Sequence, residues 1–375
     1  MSFQKFSGAL VAGLVAVALL SGCAGKKDPT FEAADYQKDK AAVTAKYVTV
    51  VNPKALAKAT KKSKKVFIPL FQVEFINQSS AASSSYSFAS NGGSSSVNVT
   101  YKLTGVDTAA FSTLVDKLYA DFTADLTAAG YEVVDKNTLV TTPQYQQLKT
   151  RGEASNPVEL ASRTEGTNKA LVVAPSGMGV VYFSTFSQPP STVKTLWKAL
   201  KGDLPEASAA ALADSLQASP VLVQMVVGFA SLKDSHAKGS GNSSVSAEYR
   251  FAVAAVHSKI AIFGDDAISH SGKNKNRWNI NATQGSVAQL SKPVFGANGW
   301  VIGRRDITST GSKVAEGVGN AIGILAAAAG GGGGAHTSKT RIYALDADPV
   351  KYGELARDNL GYTQEMLLYG LTHPK

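Results

Sequence analysis

The order of patterned segments along the chain predicts an α+β (α/β layered) fold: a mixed sheet with helices packed on one face, plus strand hairpins and a C-terminal helix. Three observations predict it. Val66–Asn77 (VFIPLFQVEFIN) has the composition of a buried strand. Asp107–Ala129 has a helical apolar stripe and leads at once into a short strand pattern. Between Val221 and Phe263, strand-like runs are joined by Gly/Ser turns.

The chain begins with a segment bearing one positive charge, Met1 to Lys5, followed by an apolar run from Ala9 to Leu20. That run is too short to span a hydrocarbon core, which takes roughly 20 residues, and suits the apolar part of a signal peptide. Leu20-Ser21-Gly22-Cys23 comes next. It resembles the lipobox of bacterial prolipoproteins, and the resemblance implies cleavage before Cys23, lipidation of that cysteine and attachment to a membrane through the lipid. Ala24, rather than Asp, after the cysteine implies sorting to the outer membrane by the rule for enteric lipoproteins. The expected divisions are 1–22 as signal peptide, 23–51 as a lipidated tether, 52–300 as an α+β domain with a Ser-rich insert at 78–96, and 301–375 as a Gly/Ala-rich segment, a strand and the C-terminal helix.

Cys23 is the single cysteine, so no disulfide can form within the chain and stability must come from a packed core. Removing the leader takes away Lys5 alone among the charged residues, lowering the net charge from +10 to +9. For an exported protein, such an excess points to anionic lipid or an envelope polymer as partner and away from nucleic acid.

Ala24–Val51 is polar and lacks a strand pattern, as a tether with a lead-in element would. Lys54, Lys58, Lys61, Lys62 and Lys65 are spaced to share one helical face over 54–65, where they would meet an anionic lipid surface; a solvated basic stretch is the plainer alternative. In Val66–Asn77, Phe67, Phe71, Val73 and Phe75 fall on one face. Val66, Ile68 and Leu70 make the start of the other face apolar, before Gln72 and Glu74 wet it. Pro69 predicts a bulge or an edge. Gln78–Ser96 is dominated by Ser, Ala, Gly and Asn, with Asn91-Gly92-Gly93 as a hairpin signal; a hairpin and a loop both fit, and the serine content favours the loop.

The helix at 107–129 carries Phe111, Leu114, Val115, Leu118, Phe122 and Leu126 on one stripe, with Asp107 placed to cap it and Gly130 to end it. Tyr131–Val134 then reads as a strand. Gln144–Lys169 is helical in patches, Ala170–Phe183 reads as two strands joined through Pro175–Gly177, and Ala207–Ala218 reads as a helix. Val221–Leu232 and Val245–Phe263 read as long strands. Ala267–Gln289 reads as a hairpin whose tip carries Lys273, Lys275 and Arg277 beside Trp278. Cations next to an aromatic suit a sugar or an acidic polymer; a plain hairpin end with Trp278 in the core is the alternative. Gly311–Ala335 holds five consecutive glycines at 330–334 and reads as a packed or flexible linker, with a membrane-touching or oligomer-forming helix, through the Gly319/Gly323 spacing, as the alternative. Arg341–Leu345 reads as a strand. Asp348-Pro349 opens the last helix, which Gly361 is expected to end, leaving Tyr362–Tyr369 as a separate element.

Signatures of chemistry are missing. There is no G-x-S-x-G, no P-loop and no dinucleotide fingerprint after a strand. The histidines are dispersed. Asp265, Asp266 and His270 suit a divalent cation by type, yet sit where a strand should turn. Asp234 near His236 reads as an exposed loop pair, and Arg304-Arg305-Asp306 as a self-paired strand end. No metal, no cofactor and no catalytic residue is expected, and the chain is not read as an enzyme.

The strand VFIPLFQVEFIN, the helix FSTLVDKLYADFTADLTAAG leading into YEVVD, and the Ala-rich helix leading into VLVQMVVGFAS together resemble the curli-secretion lipoprotein (CsgG) class and its relatives built on the TolB N-terminal-domain fold. The similarity runs from Val66 to about Phe263. It implies a non-enzymatic outer-membrane component that acts by assembly, as a secretion pore or an accessory to an envelope machine, with homo-oligomers as one outcome. The Ser-rich insert and the Gly-rich tail depart from the pattern. Two other roles fit the residues: a regulator that reaches across the periplasm to a cell-wall enzyme, and a hydrolase with an unrecognised site.

Overall fold

Two strands that are apolar on both faces must lie where both faces are covered, and β2 (Lys65–Ser87) and β7 (Ser219–His236) meet that condition. They run parallel at the centre of the main sheet, Val66–Phe75 beside Ser219–Val227. Beyond the slip at Pro69, Phe71, Val73 and Phe75 are sealed on one face of β2 and Leu70 and Ile76 on the other, and Val66, Phe67 and Ile68 before it are sealed as well. The pairing slips between Phe67 and Leu70, around Pro69, which has no N–H to offer the ladder. The computed structural model describes residues 29–59, 63–87, 93–152, 158–160, 167–183, 186–187, 205–236, 243–264, 268–271, 277–280, 285–314, 316, 320 and 336–374.

Among the described residues the main sheet has 13 strands. Outward from β7 lie β9 (Lys259–Ile262), β12 (Ser286–Leu290) and β1 (Val48–Val51). Outward from β2 lie β3 (Gly93–Thr104), β15 (His336–Ala347) and β14 (Val301–Asp306). β4 (Glu132–Val133), β5 (Val158–Leu160), β6 (Thr167–Val173), β8 (Ser243–Val253) and β13 (Val294–Phe295) branch from this path. β10 (Ile268–Ser271) and β11 (Arg277–Ile280) form a separate two-stranded hairpin.

Among the described residues, five short helices and one long one precede β5: α1 (Ala33–Lys38), α2 (Lys40–Tyr47), α3 (Pro53–Ala59), the long α4 (Thr108–Ala128), α5 (Lys136–Thr141) and α6 (Pro143–Gly152). Two follow, α7 (Pro205–Leu216) and α8 (Pro349–Thr372). α4 starts at Asp107, whose carboxylate accepts from the Ala109 N–H, and is followed by Gly130 at φ +83. Its stripe of Phe111, Val115, Leu118, Phe122 and Leu126 is buried on the sheet, with Phe75 and Phe111 stacked 3.9 Å apart. α8 is capped by Asp348 and brings Tyr352 against Phe111, Phe251 and Trp300. Gly105, at φ +78, lets the chain leave β3 toward α4; a Cβ there would lie 2.6 Å from the Ala347 carbonyl oxygen at the end of β15.

Several expectations change. Residues 29–51 are not tether: they form α1, α2 and β1, with Phe31, Tyr36 and Tyr47 buried and Phe31 packed on Tyr362 of α8. Three aromatics spread over 17 positions leave no periodic trace, yet Phe31 and Tyr36 both meet Tyr362 and Tyr47 packs edge-on against Phe31. The boundary at 300/301 falls inside one sheet, because β14 and β15 join β3. Gly361 does not end the last helix: Leu360, Thr363, Gln364, Met366 and Leu367 are all buried, and that packing carries the helix through the glycine to Thr372. Ala170–Phe183 supplies one strand, β6; residues 174–183 are irregular. The run Val245–Phe263 is interrupted at 254–258. There Val256 adopts φ +64, and the Ser258 hydroxyl accepts the Val226 N–H that a strand would have taken. Gln72 and Glu74 do not wet a face: both are buried, and the Gln224 amide donates to Glu74 at 3.1 Å.

Candidate functional site

The Ser-rich insert is a hairpin, not a loop. β2 and β3 pair without a break from Gln78↔Lys102 to Ser87↔Gly93, and Asn91 and Gly92 lie outside the described residues. Serine is a poor strand former by composition. Here pairing on both edges supplies what propensity lacks: β6 flanks β2 as far as Ser80, and β15 flanks β3 over its whole length. A second hairpin, β7–β8, runs from Val227↔Val253 to His236↔Ser243.

Each hairpin has two unlike faces. Cross-strand partners share a side, so Ser79, Ala81 and Ser83 stand with Tyr101, Val99 and Val97. Ser79, Ser83, Val99 and Tyr101 are buried. The opposite face carries Ser80, Ala82, Ser84, Asn98, Thr100 and Lys102, mostly exposed, with Ser80 and Thr100 hydroxyls bonded at 2.9 Å. In the second hairpin Ala230 and Leu232 share a face with Tyr249 and Ala247, while Ser231, Ser246 and Glu248 occupy the other. The less polar faces meet where Tyr101 packs edge-on against Tyr249 at 5.3 Å.

A junction at the hairpin bases fixes this crossing. Tyr343 of β15 stacks on Tyr101 at 5.2 Å, the Arg304 guanidinium lies over Tyr343, and Arg304 donates to the Tyr249 hydroxyl at 3.3 Å. Burial and the neighbouring Tyr249 push the Tyr101 phenol well above its usual pKa. Arg305 forks onto Asp346 through two bonds of 2.7 Å, and Thr104 of β3 adds a third at 2.8 Å. Those bonds, the Arg305 pair first, hold the Asp346 carboxyl down at about 2. Further along β15, burial works against ionisation of Glu316, but the Arg341 guanidinium and the Thr340 N–H outweigh it, and its pKa is lowered.

The residues singled out from sequence fare unevenly. Cys23, Lys61 and Lys62 lie outside the described residues, as do Lys273, Lys275, Asp265 and Asp266. The five-lysine helical face does not form: α3 ends at Ala59, Lys54 is on its exposed first turn, and Lys65 is already the first residue of β2, 3.9 Å from Glu132. The run of spacings assumed one unbroken helix, whereas the chain turns into the central strand. Arg277 opens β11 opposite Ser271, and His270 sits on β10 opposite Trp278. Asp234 and His236 lie not in a loop but at paired positions of the second hairpin. Arg304, Arg305 and Asp306 are not self-paired; they reach Tyr249, Asp346 and Lys313 respectively. Among the described residues no group of three or more His, Cys, Asp or Glu side chains could hold a metal, and no helix is long and apolar enough to cross a membrane.

The aromatic junction was missed because Tyr101, Tyr249 and Tyr343 are far apart in the chain. The one local signal was a tyrosine within each alternating strand. No protein-family model matches the chain, and no significant match exists among curated proteins or solved structures.

Proposed function

We propose that this chain is an outer-membrane-anchored lipoprotein, held by lipid on Cys23, that acts as a non-enzymatic component of envelope assembly or secretion. The observation that carries the proposal is the pair of two-faced hairpins. Ten paired rungs, Gln78 to Ser87, match the roughly 9–11 residues a strand needs to cross a bilayer. One face carries mainly hydroxyls and amides, as a water-filled lumen requires, and the other Ala, Val, Leu and Tyr together with Ser79 and Ser83.

Four hairpin strands per chain are too few to close a barrel, since the smallest membrane barrels have about eight. The role therefore calls for two or more copies, with the hairpins of each as staves. Only five residues, 24–28, separate Cys23 from the first described residue, and Phe31 is already in the core. At most about 3.5 Å per residue, that stretch holds the fold close to the anchoring membrane. It favours a role at the outer membrane over one that reaches across the periplasm.

The test has two arms. Labelled palmitate should enter the wild type and be lost in Cys23→Ala; retained label would overturn the anchor. The lipidated chain, extracted in detergent and added to planar bilayers, should give discrete conductance steps and run as a multimer by light scattering. A monomer with silent bilayers would overturn the assembly role.

A further inference from the structure

The outer edge of β3 is where a neighbouring copy's strand would have to pair if the hairpins are staves of a shared barrel, because a barrel strand must have partners on both sides. In this chain that edge is already taken. β15 lies parallel to β3 from His336↔Ser94 to Asp346↔Thr104, covering the hairpin's full length.

The two halves of β15 are held differently. Its base, Tyr343–Ala347, is paired with strand β14. Its distal half has no strand on the far side among the described residues; the Ile307 N–H donates to the Ile342 carbonyl at 2.8 Å, and beyond it side chains from the segment after β14 take the rungs. The Thr308 hydroxyl accepts the Ile342 N–H at 2.8 Å. The Glu316 carboxylate accepts the Thr340 N–H and pairs with Arg341 at 2.7 Å. Asn320 accepts from the Ser338 N–H at 2.9 Å and donates to the Ser338 carbonyl at 3.2 Å, as a strand would. The bonded positions, 338, 340 and 342, alternate, which is the pattern of one strand edge.

We propose that the distal half of β15, pinned by Thr308, Glu316 and Asn320, is a guard that occupies the docking edge of β3 in the single chain and is displaced by a hairpin strand of a second copy. The guard covers backbone that would otherwise recruit strands at random. On its outer side it is held by the buried Thr308, the half-buried Glu316 and Asn320 and a single backbone bond from Ile307, rather than by a further strand, so it can leave while the β14–β15 base and the Arg305–Asp346 fork stay. The proposal rests on the assembly role proposed above and adds the step that controls it.

Ser96 and Ser338 are register partners, and adjacent strands place their Cα atoms within disulfide range. The full-length lipidated double variant Ser96→Cys/Ser338→Cys should therefore oxidise to a locked form. Locked protein should stay monomeric and give no conductance, and a reductant should restore both. Glu316→Ala/Asn320→Ala should do the reverse: amides 338 and 340 should exchange about tenfold faster, and multimers should form at lower protein concentration. A locked form that assembles as well as the wild type would overturn the guard while leaving the assembly role intact. If the reduced, pin-free and wild-type proteins all stay monomeric, the assembly role itself fails and the guard with it. Unchanged exchange in the pin-free variant would also overturn the guard.

Discussion

Strand β2 passes through two environments. From Val66 to Ile76 the side chains of β2 are buried on both faces; from Ser79 to Ser84 one face is largely buried and the other is wet. The change falls where the pairing with β6 slips, between Ile76 and Gln78. The first half is a core strand that fixes α4 and β7. The second is a paddle whose alternation, rather than its apolar content, keeps it in register. One strand can thus belong to a scaffold and to a working surface, and the two halves should respond very differently to substitution.

The largest difference should appear between Phe71 and Ser84. Phe71 is sealed between Tyr119 and Phe122, so Phe71→Ala should cost about 3–5 kcal/mol by urea unfolding. Ser84→Ala, on the wet face, should stay within about 0.5 kcal/mol. A comparable loss at both sites would erase the distinction. Next in size is a pair inside the core half. Gln224→Met removes a donor to the buried Glu74 and should cost about 1.5–3 kcal/mol. Gln72→Met removes an amide whose nitrogen and oxygen have no partner among the described residues, and should be neutral or mildly stabilising.

At the junction of the hairpin bases, a double-mutant cycle between Tyr249 and Arg304 should return about 0.5–1 kcal/mol of coupling. Additivity would mean that the hairpins cross without being fastened. The smallest effect is set by acid. Asp346 ionises lower in the fold, at about 2, than at its ordinary 3.8. Its contribution is therefore whole above about pH 4 and is lost as pH falls toward about 2. Between those values the wild type should lose more Tm than Asp346→Asn; equal losses would show that the fork with Arg305 adds nothing.

What sequence revealed followed the range of the forces involved. The caps of α4 and α8, the bulge at Pro69 and the centrality of VFIPLF are set by neighbours within a few residues, and all are present. The serine hairpin was misjudged because its stability comes from β6 and β15, 80 or more positions away in the β6 case and far further for β15, which composition cannot register. Gln72 and Glu74 looked like a solvent face because alternation alone does not show what covers a strand. The edge held by Thr308, Glu316 and Asn320 left no trace, since a threonine after a strand and two polar residues in a Gly/Ala-rich stretch look like any linker.

The contact at Gly105 ties the chain's beginning to its end. β3 is made early, but the Ala347 carbonyl against Gly105, like the β15 strand beside the hairpin and Tyr352 on Phe111, arrives only with the last residues. A ribosome delivers this polypeptide from its N-terminal side onward. For most of that passage the hairpin has a bare side, and the central aromatic cluster lacks its lid. The order of delivery makes the final helix the clasp that turns a sticky half-product into a finished molecule, and a truncation of those residues should clump during biogenesis rather than simply lose a few contacts.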